Sequence, residues 1–280
     1  MSHVQDPQNE KANAGGPASR RTFLTGVAVA AGASILPSSG LFAGPGDSFN
    51  PFFAGQPTGA TAGIPTDAAQ QFAGIPGRTV DEQILNFALT LEILEFNLYR
   101  TALNQASGLP LSAALSDDPA FYTRQAQAGS FTVTQADVAF EYLVTFTYVE
   151  RQHRRFINNA IVASGGTPVE RNPNGYAFPS IGTTMPEILR AILPLEETGV
   201  RAYLGALPYF TDLGLATIAA GIYSTEARHS AVLGALLARD AGPAPRAGDV
   251  AVIDDQPSQN TFEYFLTPRQ TLSAASVYFL

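Results

Sequence analysis

From Thr79 onward the apolar residues fall into a helical rhythm. In TVDEQILNFALTLEILEFNLYRTAL (79–103) they recur at three- and four-residue intervals, and the pattern holds to about Gln105. Thr79, with Glu82 three residues on, has the form of a capping box, and GLP at 108–110 stops this first helix. Residues 111–131 read as a loop with a short helix of its own. A second helix is expected from near Thr134 (TQAD) through DVAFEYLVTFTYVERQHRRFINNAIVA to the SGG at 164–166. The third opens at TTMPE (183–187), with a threonine cap and Pro186 in its first turn, and ends at Pro208. Thr211 or Asp212 caps a fourth, LGLATIAAGIYSTEARHSAVLGALLARD, which ends at AGP (241–243).

Four helices of this length with unequal links imply a bundle. The very short third link makes its two helices antiparallel neighbours, and the long second link, rich in turn residues, can cross the bundle's length. The chain is expected to be all-α, a four-helix bundle over 79–242 with one long crossover. Residues 44–78, rich in Gly, Pro and Ala, read as a linker or an arm, and 243–280 as an irregular tail. The last twenty residues are aromatic (Phe262, Tyr264, Phe265, Tyr278, Phe279), so the tail is expected to pack on the bundle or on a second copy. A homo-oligomer formed through tail or arm is the corresponding expectation.

The N-terminus has a different character. SRRTFL (19–24) precedes the uncharged, small and apolar TGVAVAAGASILPSSGLFAG. A basic segment, a short apolar segment and small residues make an export signal over 1–43, and the Arg20-Arg21 pair before Phe23-Leu24 resembles the twin-arginine type. A retained anchor is the alternative; the stretch is short and rich in Ala and Gly for a span. The expected location is periplasmic or at the cell surface.

Composition removes several chemistries. There is no cysteine, so disulfides, thiol nucleophiles and cysteine-rich zinc sites are excluded. Lys11 is the one lysine, which leaves none for a Schiff base beyond the signal region. A net charge of −8 without a basic run argues against nucleic acid.

The candidate chemistry lies in two look-alike stretches, YVERQH (148–153) and STEARH (224–229). Beyond His3 the chain has only His153 and His229, and each follows a glutamate, Glu150 or Glu226, by three residues. That spacing puts both side chains on one helical face, about 5–6 Å apart at Cβ, among apolar neighbours such as Leu143, Phe146, Ile157, Ile222 and Leu233. A dinuclear carboxylate site requires a further glutamate from each of the other two helices. The first helix offers Glu92 and Glu95, the third Glu196 and Glu197. Tyr99 follows Glu92 by seven residues and Tyr203 follows Glu196 by seven, so the chain reads as two matching halves. Pro194 stands two residues before Glu196, where a kink would re-aim that ligand and leave Glu197 as a substitute.

The set LNFALTLEILEFNLY, FTYVERQH, LEETGVRAYLGA and STEARHSAVL, covering about 81–240, resembles the ferritin-like superfamily, and within it the exported, desiccation-related type. The resemblance implies metal ligands at Glu92, Glu150, His153, Glu196, Glu226 and His229, with Glu150 and Glu226 bridging and Glu92 and Glu196 terminal. Glu95, Glu197, Tyr99 and Tyr203 would be substitutes or neighbours of the ligands. It implies two iron or two manganese ions and partners such as O2 or peroxide. The activity would be of the di-iron oxidase, peroxidase or manganese-catalase kind, or protection under stress. A structural or assembly role on the same bundle, with a stabilising or vestigial metal site, is the alternative from another class.

Overall fold

The structure, a computed structural model, describes residues 67–178, 180–240 and 265–280. The expected signal, most of the arm and the first part of the tail, with Phe262 and Tyr264, lie outside the described residues. No helix among the described residues is long and apolar enough to cross a membrane.

Four long helices dominate: α2 (Val80–Ala106), α3 (Val133–Ala163), α4 (Met185–Ala206) and α5 (Leu213–Asp240). Short helices α1 (Ala68–Gln71) and α6 (Pro268–Ala275) flank them, with 3-10 turns at Pro119–Phe121, Leu207–Tyr209 and Ser276–Tyr278. There is no named strand among the described residues. The helices pair as α2 with α3 and α4 with α5, and the two pairs meet chiefly through α2 and α4. The result is a ferritin-like four-helix bundle. Its crossover, residues 164–184, starts beside the N-terminal half of α2, where Asn86 bonds Thr167 O and Val169 N at 3.1 and 2.8 Å. It ends beside the loop after α2, where Gln127 bonds Thr183 O and Met185 N at 3.1 and 2.9 Å. The link therefore runs the length of α2. Covered by the crossover as well as by α3 and α4, α2 is buried from Ile84 to Tyr99 at every position except Thr90, which is why its apolar residues are not confined to one stripe.

The caps refine the expected boundaries. Thr79 caps α2 by accepting from Glu82 N at 3.1 Å, but Glu82 does not complete the box. Its carboxylate reaches one residue further back, to Arg78 N (3.1 Å) and Arg78 Nε (2.8 Å). Helix α3 starts earlier than Thr134 suggests. Thr132 and Gln135 form the reciprocal box, and Asp137, which Thr134 would have needed, is bound instead to Arg124 at 2.8 Å. Of Thr211 and Asp212, the two expected caps of α5, it is Asp212 that accepts from Gly214 N and Leu215 N, at 2.7 and 3.2 Å. Pro194 leaves α4 unbroken. It lies on the solvent side with Arg190, whose carbonyl loses its helical partner where water can replace it.

Two expected irregular regions are ordered where they are described. The end of the arm forms α1 and places Phe72, fully buried, edge-on against Phe87 and Tyr209 at 5.8 and 5.5 Å. The tail is partly helical, because Thr267 and Gln270 cap α6 reciprocally and Pro268 fits its first turn. Its residues 265–280 lie on their own bundle. Leu266 N donates to Arg201 O at 3.1 Å, and Ala177 N donates to Tyr278 O at 2.8 Å. A Cβ at Gly205 would stand 1.8 Å from Leu266 O, so only glycine lets the tail backbone approach α4 this closely.

Candidate metal centre

Each long helix brings one stripe to the bundle axis, and the four stripes have the same spacing. They read Ala88–Glu92–Glu95–Tyr99 on α2 and Ile192–Glu196–Gly199–Tyr203 on α4. On α3 and α5 they read Phe146–Glu150–His153–Ile157 and Ile222–Glu226–His229–Leu233. Steps of four, three and four residues keep a side chain on one face, so the polar pairs of α2, α3 and α5 and the single Glu196 of α4, beside Gly199, sit at one level. At that level Glu92, Glu150, Glu196 and Glu226 have no exposure, Glu95 has 1% and His229 3%.

The structure places the six expected ligands in two overlapping groups. Glu92, Glu150, His153 and Glu226 form one; Glu150, Glu196, Glu226 and His229 form the other. Within each, one ligand atom per residue lies within 4.8 Å of all the others, and Glu150 and Glu226 belong to both. His153 turns Nδ1 toward Glu226 (3.0 Å), Glu150 (3.3 Å) and Glu92 (3.5 Å). His229 Nδ1 lies 3.0 Å from Glu150 and 3.4 Å from Glu196 without aligning for a hydrogen bond to either. Phe146 stacks on the His229 ring at 3.9 Å and fixes its plane.

The tyrosines are exchanged between the halves. Tyr99 of α2 donates to Glu196 of α4, and Tyr203 of α4 donates to Glu92 of α2. Each leaves the carboxylate's other oxygen, Glu196 Oε2 and Glu92 Oε2, without a hydrogen bond.

Of the two alternatives on α4, only Glu196 enters the cluster. Glu197 points away, to Arg201 at 2.9 Å and to the Ser230 hydroxyl. On α2 Glu92 belongs to a group, and Glu95, outside both, is buried one turn further along the helix. Glu95 occupies room that exists because α4 carries Gly199 at the matching position, where a Cβ would stand 2.8 Å from Glu95 Oε1. Aligning LEILEFNLY with LEETGVRAY sets Glu95 opposite Gly199, and that pairing is the signal by which the fit could have been found.

Five buried carboxylates and two imidazoles share this volume, and no lysine or arginine belongs to either group. Burial pushes the Glu92 carboxyl up to about 7, with the charge of His153 working against it. Burial and then the neighbouring Glu226 and Glu92 raise Glu95 well above the ordinary range, and burial with Glu150 and Glu196 does the same to Glu226. For Glu150, burial is overcome by the contacts from His153 and His229, which hold it down to about 2. Burial disfavours charge on His229, but Glu150 and Glu196 raise it to about 9. His153 is likewise raised, against its burial, by Glu92, Glu150 and Glu226.

Metal ions fit this arrangement. Glu226 has both oxygens without a hydrogen bond, and Glu92, Glu95, Glu150 and Glu196 have one each, all buried. Buried charge on this scale is ordinarily paired or coordinated. Carboxylate and imidazole donors suit iron or manganese.

Comparison with curated proteins returns no match. Residues 80–239, more than half of the chain and spanning the four long helices that carry the cluster, match the ferritin-like domain, and the chain belongs to that family.

Proposed function

We propose that this protein is exported and holds two ions, of iron or of manganese, in the bundle centre, where they serve O2- or peroxide-linked oxidation or protection under stress. The observation that carries this reading is the pair of overlapping ligand groups sharing Glu150 and Glu226. Shared carboxylates between two four-residue sets suit two neighbouring cations better than one. When bound, such ions supply redox equivalents and Lewis acidity at open coordination positions.

The chain's own residues do the rest. Glu92 with His153, and Glu196 with His229, supply the donors particular to each position, while Glu150 and Glu226 span both. Tyr99 and Tyr203 hold Oε1 of Glu196 and of Glu92 and leave Oε2 of each without a hydrogen bond. The apolar residues above and below the polar level exclude water and strengthen every electrostatic contact there. Glu95 lies outside both groups, and burial with the neighbouring Glu226 raises its pKa in the metal-free protein.

Metal analysis of protein purified without chelator tests the site. About two ions per chain are expected, with loss of both in Glu150→Gln and of one or both in His153→Ala. Metal content unchanged by both substitutions, or no bound metal, would sink the reading. Ferrous oxidation and peroxide consumption assays on the loaded protein then separate the activities. Export rests on Arg20-Arg21; replacing both with lysine should leave the protein in the cytoplasmic fraction, and an unaltered distribution would refute the twin-arginine route. The alternative, a structural role with a stabilising or vestigial metal site, would show bound metal or none but neither ferrous oxidation nor peroxide consumption in these assays.

A further inference from the structure

The net charge is −8, yet the face where the crossover lies along α2 is basic. Two grooves open there, one on each side of Arg171. The larger, about 600 Å³, is walled by Asn97, Arg100 and Thr101 of α2, Ser112 of the following loop, and crossover residues that include Arg171 and Tyr176. The smaller, about 500 Å³, is walled by Arg154, Arg155 and Arg171 but also by Glu170. Among the described residues no carboxylate lines the larger one.

Arg100 and Arg171 form no ion pair among the described residues. Arg100 is held instead by neutral groups: its Nη1 donates to Leu111 O at 3.2 Å and Ala113 O at 2.7 Å, and its remaining N–H groups bond no described residue. Arg171 stands 5.9 Å from the Tyr176 ring centroid. Burial, and then the charge of Arg171, lowers the pKa of Arg100, so the two guanidiniums feel each other across the groove. An arginine fixed by carbonyls and an arginine beside a ring, with like charges facing, make a receptor for an anion. Ser112, Ser180 and Thr183 line the same groove and carry hydroxyls that suit an oxyanion, whereas Thr101 Oγ1 and Asn97 Nδ2 already donate to Asn97 O and Ile93 O. Guanidinium forks match phosphate oxygens in pairs.

We propose that the groove between Arg100 and Arg171 binds a phosphate group, as inorganic phosphate or as the phosphate of a small monoester. The rings of Tyr176 and Phe178, stacked at 5.7 Å along the same wall, favour a monoester that carries an aromatic group.

Calorimetric titration of the full, metal-replete chain tests this, with inorganic phosphate, phenyl phosphate and, at matched ionic strength, chloride. Saturable binding of phosphate but not chloride is expected, and it should weaken about tenfold or more in Arg171→Gln. Arg171 is exposed on the crossover, so this variant tests the site even if Arg100→Gln disturbs the loop that Arg100 holds. Tighter binding of phenyl phosphate assigns the site to a monoester; equal binding assigns it to the free ion. Heats no greater than with chloride, or phosphate affinity unchanged in Arg171→Gln, would overturn the proposal. The second result would place any phosphate on the metal centre, which Arg171 does not touch.

Discussion

Replacing Glu92 by glutamine should make the metal-free protein more stable. Glu92 is fully buried, its carboxyl is pushed up to about 7, and no cation other than the histidines faces it. The sign follows from linkage. Between the ordinary 4.5 and about 7 the unfolded chain gives up this proton while the folded chain keeps it, so stability falls as pH rises through that window. The gap corresponds to about 3 kcal/mol lost by about pH 7.5. The amide keeps an oxygen for the Tyr203 hydroxyl but turns its NH2 toward His153, which removes about 1 kcal/mol of the gain. A net gain of about 2 kcal/mol raises the melting temperature by roughly 4–8 °C in a domain of this size. Calorimetric melts in excess chelator measure it, at about pH 7.5 and again near pH 5, where the difference should nearly vanish because folded Glu92 is then protonated. A variant that melts at or below the parent at the higher pH, or a gain independent of pH, would refute the electrostatic account.

Tyr99→Phe removes the donor to Glu196 Oε1 while Oε2 already has none; a loss of about 1–3 kcal/mol in denaturant titration is expected. Ile161→Ala empties a fully buried position and should cost about 2–5 kcal/mol by the same measurement. Gly205→Ala drives a methyl group into Leu266 O, so residues 265–280 should leave α4 and become accessible to limited proteolysis, with the four-helix far-ultraviolet signal retained. Unchanged protection of the tail would show that α4 can yield at this point.

How far the sequence reaches depends on whether a feature is local. The four helices were legible because apolar periodicity and caps such as Thr79 and Thr184 are written within a few residues. The start of α3 was not, because Thr134 and Thr132 both open plausible boxes, and Arg124 in the preceding loop, by occupying Asp137, decides between them. Glu150, His153, Glu226 and His229 were legible as the i, i+3 pairs containing every histidine beyond His3. The choice between Glu196 and Glu197 was open, since adjacent helical residues point about 100° apart and only the position of α2 says which faces inward. Glu92 and Glu95 share a face, so periodicity could not separate them, and both are buried. The tail's course depends on Leu266 meeting Gly205, sixty-one positions apart in the chain, which no local pattern records.

The exchange of Tyr99 and Tyr203 means that neither helical hairpin is self-sufficient. The α2–α3 hairpin supplies Glu92, Glu150 and His153 of one ligand group and borrows Glu226; the α4–α5 hairpin supplies Glu196, Glu226 and His229 and borrows Glu150. Each also braces its own first glutamate with the other's tyrosine. The likeness of the two halves is thus interlocked rather than modular. A chimera that grafts one hairpin onto a foreign partner needs a tyrosine and a glutamate matched across the α2–α4 seam, and the two hairpins must change together if either changes at all.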